Sequence, residues 1–202
     1  IDVSHKFLNV AGERYIFHDS PGHNQYTRNV INAASECNIA IVLIDLTKGI
    51  LDQTKTHIQI LKFLGIKNII FVLNKIDLIK FNKKTYNEVL KTLKKYLVSY
   101  PLEKFYFVPT SALIGTNVVF SAPKNKWYYS KSIFQILKQI KIKKNLNTIG
   151  YLSVQQVCRK NGKRFYKGQI NGNLKKTDAI TLLPLNKKIK ILNIYNNFKK
   201  NF

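Results

Sequence analysis

Three short stretches of this chain place chemistry-bearing residues at the ends of apolar runs. The first is Asp19-Ser20-Pro21-Gly22-His23, the second Asn74-Lys75-Ile76-Asp77 and the third Ser111-Ala112-Leu113. A buried strand has no use for an aspartate followed at once by a tight Pro-Gly turn, whereas a phosphate site does. Asp19 is suited to hold Mg²⁺ through a water molecule. Gly22 has no Cβ, so its backbone N–H is free to approach a γ-phosphate closely. His23 then falls where a water would be oriented for in-line attack, which makes it the candidate catalytic residue. Ser20 and Pro21 complete the turn, and a polar helix is expected to follow it. Taken alone, the stretch reads equally well as a plain turn, and His23 as a surface histidine.

The second stretch is more specific. A carboxylate at Asp77 accepts two hydrogen bonds from the N1–H and 2-amino groups of guanine, a donor pair that adenine lacks. The methylene stem of Lys75 is long enough to cover the face of a base, Asn74 is placed to tie the loop together, and Ile76 fills the position between them. The bland alternative is a polar cap on a strand. Ser111, Ala112 and Leu113 add a backbone N–H for the guanine oxygen, a weak signal by itself. The three stretches occur in order, each after an apolar run, and together they point to a guanine nucleotide.

The elements that must position these residues follow from periodicity. Residues 1–19 read as a hairpin turning near Ala11 and Gly12. Asn38–Asp45 and Asn68–Leu73 are near-continuous apolar runs, as in strands covered on both faces. Between them, Ile58, Leu61 and Leu64 recur at helical spacing up to Gly65. Val89, Leu90, Leu93 and Leu97 mark a second amphipathic helix, Phe105–Val108 a third buried strand and Ser132–Ile140 a last helix. Strands alternating with helices predict an α/β domain: a mostly parallel sheet with helices on both sides. From Gly150 onward, short strands and the turn signals Asn161-Gly162, Asn171-Gly172 and Pro184 predict a small antiparallel barrel or part of one. The domain boundary is expected between residues 146 and 147.

Composition narrows the class. The formal net charge is +24, which would ordinarily suggest nucleic acid. Only four of the 34 basic residues are arginine, however: Arg14, Arg28, Arg159 and Arg164. Lysine, asparagine and isoleucine are abundant together, as A+T-rich codons yield, and the lysines are spread rather than gathered in a stripe. A nucleic-acid partner is therefore not expected. No apolar run reaches the length of a membrane span, and no signal-peptide pattern opens the chain. Cys37 and Cys158 have no metal-ligand neighbours in sequence, so neither a disulfide framework nor a metal cluster is expected, and the cytoplasm fits.

Over nearly its whole length the sequence resembles the translation-factor group of GTPases. Within that group it is most similar to the GTPase (large) subunits of bacterial sulfate adenylyltransferase. The stretches that carry this closer likeness are Gly22–Asn29, Lys48–His57, Leu64–Leu78, Val108–Val118 and Trp127–Leu137. The resemblance implies a P-loop GTPase-type domain followed by part of a translation-factor-type β-barrel. It also implies GTP and Mg²⁺ as cofactors, with Asp19 to His23 as the γ-phosphate and switch II element. Asn74, Lys75 and Asp77 would give guanine specificity, and Ser111 to Leu113 the second guanine loop. It further implies a nucleotidyltransferase enzyme of sulfate assimilation and cysteine biosynthesis. GTP hydrolysis would be coupled there to making adenosine 5′-phosphosulfate and pyrophosphate from ATP and sulfate, with ATP bound by a smaller catalytic partner subunit. Two alternatives stay open: an elongation-factor-Tu-like translational GTPase, and an inactive relic.

The sequence departs from this group in one large respect. No Gly-Lys-Ser or Gly-Lys-Thr occurs in the 202 residues. The phosphate loop and the first strand are expected to lie before Ile1, so the chain reads as an N-terminally incomplete GTP-binding domain. The missing strand would sit between those ending at Asp19 and Asp45, leaving either a gap or a direct pairing of the two. The backbone cradle of that loop makes most of the β- and γ-phosphate contacts. This stretch alone is therefore expected to bind GTP weakly and not to hydrolyse it measurably.

Overall fold

The computed structural model describes residues 3–10, 12–22, 24–98, 100, 104–121, 127–142, 150–160 and 162–195. They divide into two units, Ile1–Lys141 and Ile142–Phe202. The boundary expected at 146/147 lies outside the described residues, as does His23.

In the first unit, β1 (Ser4–Val10) and β2 (Glu13–Asp19) pair as an antiparallel hairpin. A short 3-10 turn at Asn24–Tyr26 leads into α1 (Thr27–Ser35). Next come β3 (Ile39–Asp45), α2 (Asp52–Phe63), β4 (Asn68–Asn74), α3 (Lys83–Leu97), β5 (Lys104–Pro109) and α4 (Ile133–Gln139). β3, β4 and β5 form a three-stranded, wholly parallel sheet in that order. Alternation along β4 explains its position. Ile69, Phe71 and Leu73 face one core with Ile58 and Leu61 of α2 and Leu93 and Leu97 of α3. Ile70 and Val72 face a second core with Ile136 and Leu137 of α4. Each fully buried side chain of this size stabilises by about 2 kcal/mol. Helices thus cover both faces, as the alternating pattern predicted.

Of the two outcomes expected at the sheet's edge, the structure has the gap. Among the described residues β2 pairs only with β1, and β3 only with β4. Tyr15 and Phe17 of β2 nevertheless pack on the second core beside Ile39. Among the described residues β3 is therefore an edge strand; Ile41 and Leu43, on the face they share with Ile70 and Val72, are 37% and 67% exposed, while Ile44 on the other face is buried.

Local signals set the helix ends. Asn82 Oδ1 accepts from the N–H groups of Lys84 and Thr85 (2.8 and 3.2 Å), capping α3. Ser132 and Gln135 form a reciprocal capping box at the start of α4. Gly65 takes a left-handed φ of +69° just past α2. Trp127 packs over Tyr86, with ring centroids 5.0 Å apart, and donates from Nε1 to the Phe81 carbonyl at 2.8 Å. Trp127 belongs to the first core and its neighbour Tyr128 to the second, so this segment straddles the end of the sheet.

The second unit holds two antiparallel hairpins. β6 (Tyr151–Lys160) pairs with β7 (Lys163–Asn171), with an irregularity between Val154 and Gln156. β8 (Ala179–Leu182) pairs with β9 (Lys187–Lys190). Gly168 fits there because a Cβ would fall 1.8 Å from the Ser153 carbonyl oxygen. Among the described residues the two hairpins do not pair with each other, so they form no closed barrel there.

Candidate functional site

The carboxyl ends of β3, β4 and β5 lie side by side, with Asp45 in register with Asn74 and Leu73 with Pro109. In parallel sheets this end is where ligands bind. Backbone bonds lock the strand ends together. The Leu46 N–H donates to the Asn74 carbonyl (3.0 Å), the Thr110 N–H to Leu73 (2.8 Å) and the Ile76 N–H to Thr110 (3.1 Å). Ile76 is fully buried in the first core and anchors its loop from beneath.

On this base Asn74 reaches across. Its Oδ1 accepts the Ala112 N–H at 3.0 Å and the Thr110 hydroxyl at 3.4 Å, joining the loops after β4 and β5. The Ala112 N–H, expected to face the guanine oxygen, donates to Asn74 in this structure. Ser111 is buried, its N–H donates to Thr116 (3.3 Å), and its Oγ has no hydrogen-bond partner among the described residues. Leu113 is 86% exposed. Asn117 Nδ2 donates to the Pro109 carbonyl at 2.8 Å and holds the far side of this loop.

Lys75 has a left-handed φ of +65°, which costs an L-residue about 1 kcal/mol. Its Nζ lies 2.8 Å from Asp45 Oδ2. The other carboxylate oxygen of Asp45 accepts from the Thr47 N–H (2.9 Å) and hydroxyl (2.6 Å). Partial burial alone would raise the Asp45 carboxyl, but the Lys75 and Thr47 hydrogen bonds and the lysine charge outweigh it and pull it down to about 2. Asp77 is half-buried, and its carboxylate takes no hydrogen bond or ion pair from the described residues. A ligand donor pair would therefore find it available.

The first stretch is placed differently. Asp19, at the end of β2, is exposed, and Ser20 and Pro21 are half-buried. A Cβ on Gly22 would come 3.3 Å from Gln53 Nε2 at the start of α2. That contact is with the end of a flexible side chain, so the turn is open rather than crowded. The structure thus brings Asn74, Lys75, Ser111 and Ala112 together and leaves the Asp19 turn as a separate feature beside α2. Among the described residues no group of three or more His, Cys, Asp or Glu gathers around a point. No helix is long and apolar enough to cross a membrane.

Sequence reasoning missed Asp45. The signal was an acidic residue closing the apolar run "IAIVLI", one strand away from a strand-end lysine. His57 was also missed. It is half-buried on α2, its Nε2 has no hydrogen-bond partner among the described residues, and burial lowers its pKa.

Comparison with known proteins adds the lineage. The chain is 37% identical over 198 residues to sulfate adenylyltransferase subunit 1 of Saccharophagus degradans, covering 96% of this chain and 42% of that protein. It is likewise 37% identical over 196 residues to the subunit 1 of Francisella tularensis, and 34% identical over 197 residues to that of Bacteroides thetaiotaomicron. The chain thus spans less than half the length of the curated relatives it matches. Among solved structures it is similar to translation elongation factor SelB from Methanococcus maripaludis in complex with the GTP analogue GppNHp. There the TM-score is 0.61 at 26% identity, over 95% of this chain and 41% of that one. A likeness to sup35 complexed with GMPPNP, with a TM-score of 0.56 at 21% identity, speaks for the fold alone. The elongation factor Tu GTP binding domain family matches residues 1–182, and the chain belongs to that family.

Proposed function

We propose that this chain is the guanine-nucleotide-binding portion of a sulfate adenylyltransferase GTPase subunit. The observation that carries the nucleotide reading is the Asn74–Asp77 loop. It is locked to the β5 loop through Asn74 and presents an Asp77 carboxylate that no described residue occupies. Asp77 would accept from the guanine N1–H and 2-amino groups, the Lys75 stem would cover the base, and the unpartnered Ser111 Oγ would gain a partner. GTP with its Mg²⁺ would supply the phosphoanhydride whose hydrolysis drives coupling. Asp19 would provide one ligand to the ion through a water, the phosphates and waters supplying the rest. Gly22 would offer its N–H to the γ-phosphate, and His23 would orient the attacking water.

The names of the relatives support the sulfate reading. In it, the whole protein couples GTP hydrolysis to forming adenosine 5′-phosphosulfate and pyrophosphate from ATP and sulfate. The ATP chemistry belongs to a smaller partner subunit, in the cytoplasm, on the route of sulfate assimilation to cysteine. A translational GTPase is the second reading, favoured by the likeness to SelB at 26% identity. Identities of 34–37% to the sulfate adenylyltransferase subunits weigh against it.

Two measurements test this. In an NMR titration the chain should bind GDP in preference to ADP, weakly and without measurable GTP hydrolysis. Equal binding of both nucleotides would sink the guanine assignment. Co-expression with a bacterial ATP-sulfurylase small subunit should yield a complex. Failure to do so, together with salt-steep binding of aminoacyl-tRNA, would favour the translational reading.

A further inference from the structure

We propose that Asp45 is a positioning residue for guanine recognition, which holds the Lys75 ammonium away from Asp77 so that the Asp77 carboxylate stays free for the base. This rests on the guanine reading of the Asn74–Asp77 loop and adds to it a residue from another strand.

The loop carries a conflict of charge. Lys75 and Asp77 are two residues apart in a short turn, and opposite charges that close together attract. A lysine paired with Asp77 would occupy the acceptor that guanine needs and would neutralise the charge that strengthens those hydrogen bonds. The structure resolves the conflict with a third charge. Asp45 ends β3 directly opposite Asn74, and its Oδ2 lies 2.8 Å from Lys75 Nζ. The left-handed backbone of Lys75 accompanies this turn of its side chain toward β3.

Asp45 is itself prepared for the task. Thr47 donates to Oδ1 from both its N–H and its hydroxyl, which fixes the carboxylate plane and leaves Oδ2 for the lysine. The Asp45 side chain is 19% exposed against 49% for Lys75, so the anchored partner is the aspartate and the long, mobile partner is held by it. The carboxyl is pulled down to about 2, so the acceptor stays charged throughout the neutral range. Asn74 lies between the two strand ends and joins them to Ala112. One acidic residue on the edge strand therefore sets the charge pattern of a loop on the next strand.

The test is a double-mutant cycle on the 202-residue chain, reading GDP and ADP affinity by NMR titration, with circular dichroism to confirm folding. Asp45→Asn should weaken GDP by about fivefold, the scale of one partly exposed ion pair, and leave ADP unchanged. Asp45→Asn in a Lys75→Met background should cost nothing further, because the lysine that would invade Asp77 is gone. Asp45→Glu, which keeps the charge, should recover most of the GDP preference. A purely structural Asp45 would give a lower melting temperature with an unchanged GDP-to-ADP ratio and additive effects in the cycle, and this would overturn the proposal. If wild type prefers GDP and Asp45→Asn binds it equally well, the Asp45 inference alone fails. If wild type shows no GDP preference at all, the guanine reading fails and takes this inference with it.

Discussion

The Asn74–Asp77 loop and the Asp19–Gly22 turn both follow strands, yet they stand on different foundations. The first rises from the central strand of a three-stranded sheet with helices on both faces. It is bonded to its neighbours by main chain on each side and by Asn74 across the top. The second rises from a two-stranded hairpin that pairs with nothing else among the described residues. A Cβ placed on its Gly22 would meet the end of the Gln53 side chain of α2. A functional group inherits its precision from the element beneath it. The loop proposed to read the base is therefore the better fixed of the two, and the turn proposed to face the phosphates is not held to the same standard.

Substitutions can break or sharpen that contrast. The largest effect should come from Asp77→Ala, which removes the carboxylate proposed to accept two hydrogen bonds from guanine. GDP affinity should fall by about a hundredfold, to the level of ADP, in the same NMR titration. Next is Asn74→Ala. Losing the tie between the two loops should cost about 1–2 kcal/mol and lower the melting temperature by a few degrees. The Ala112 amide, protected in the wild type, should then exchange rapidly with deuterium. If its protection survives, the loops are joined by something other than Asn74.

A smaller effect should arise on α2, the helix between the two regions. Burial holds the His57 pKa below its ordinary value of 6.5, so the folded chain binds this proton less readily than the unfolded chain does. The unfolded state takes up more protons, and stability therefore rises with pH across this window. It is complete above about 6.5 and is lost as the pH falls through the lower folded value. A melting curve followed from pH 8 to pH 5 should show the decline, and His57→Gln should flatten it. The smallest effect on stability belongs to Asp19→Asn, an exposed site, which should change it by less than about 0.5 kcal/mol. A large loss from that substitution would mean that the turn is better anchored than its hairpin suggests.

Much of the first unit was legible because its elements are long and strongly patterned. The run Ile69–Leu73 alternates between two cores, and Leu93 and Leu97 recur at helical spacing, so strand and helix were readable from local sequence. The three strand-end motifs were readable for the same reason: each sits where an apolar run stops. The Asp45–Lys75 pair was not, because it joins residues thirty positions apart whose meeting depends on β3 and β4 being neighbours in register. The commitment of the Ala112 amide to Asn74 depends on the same tertiary register. In the second unit, turn signals located the hairpins, but closure of a barrel depends on pairing between hairpins, about which turn residues say nothing.

The bare flank of β3 has a consequence for how this chain behaves in solution. A strand whose outer main-chain groups are unpaired among the described residues, beside the exposed Ile41 and Leu43 on one face, is a template on which another strand can add. Concentrated samples should therefore thicken into oligomers despite a charge of +24 that would otherwise keep molecules apart. Added salt, by screening that repulsion, should hasten the process, and a single Leu43→Lys gatekeeper should slow it. The same margin that leaves the sheet narrow makes the colloidal lifetime of this chain a property of two side chains.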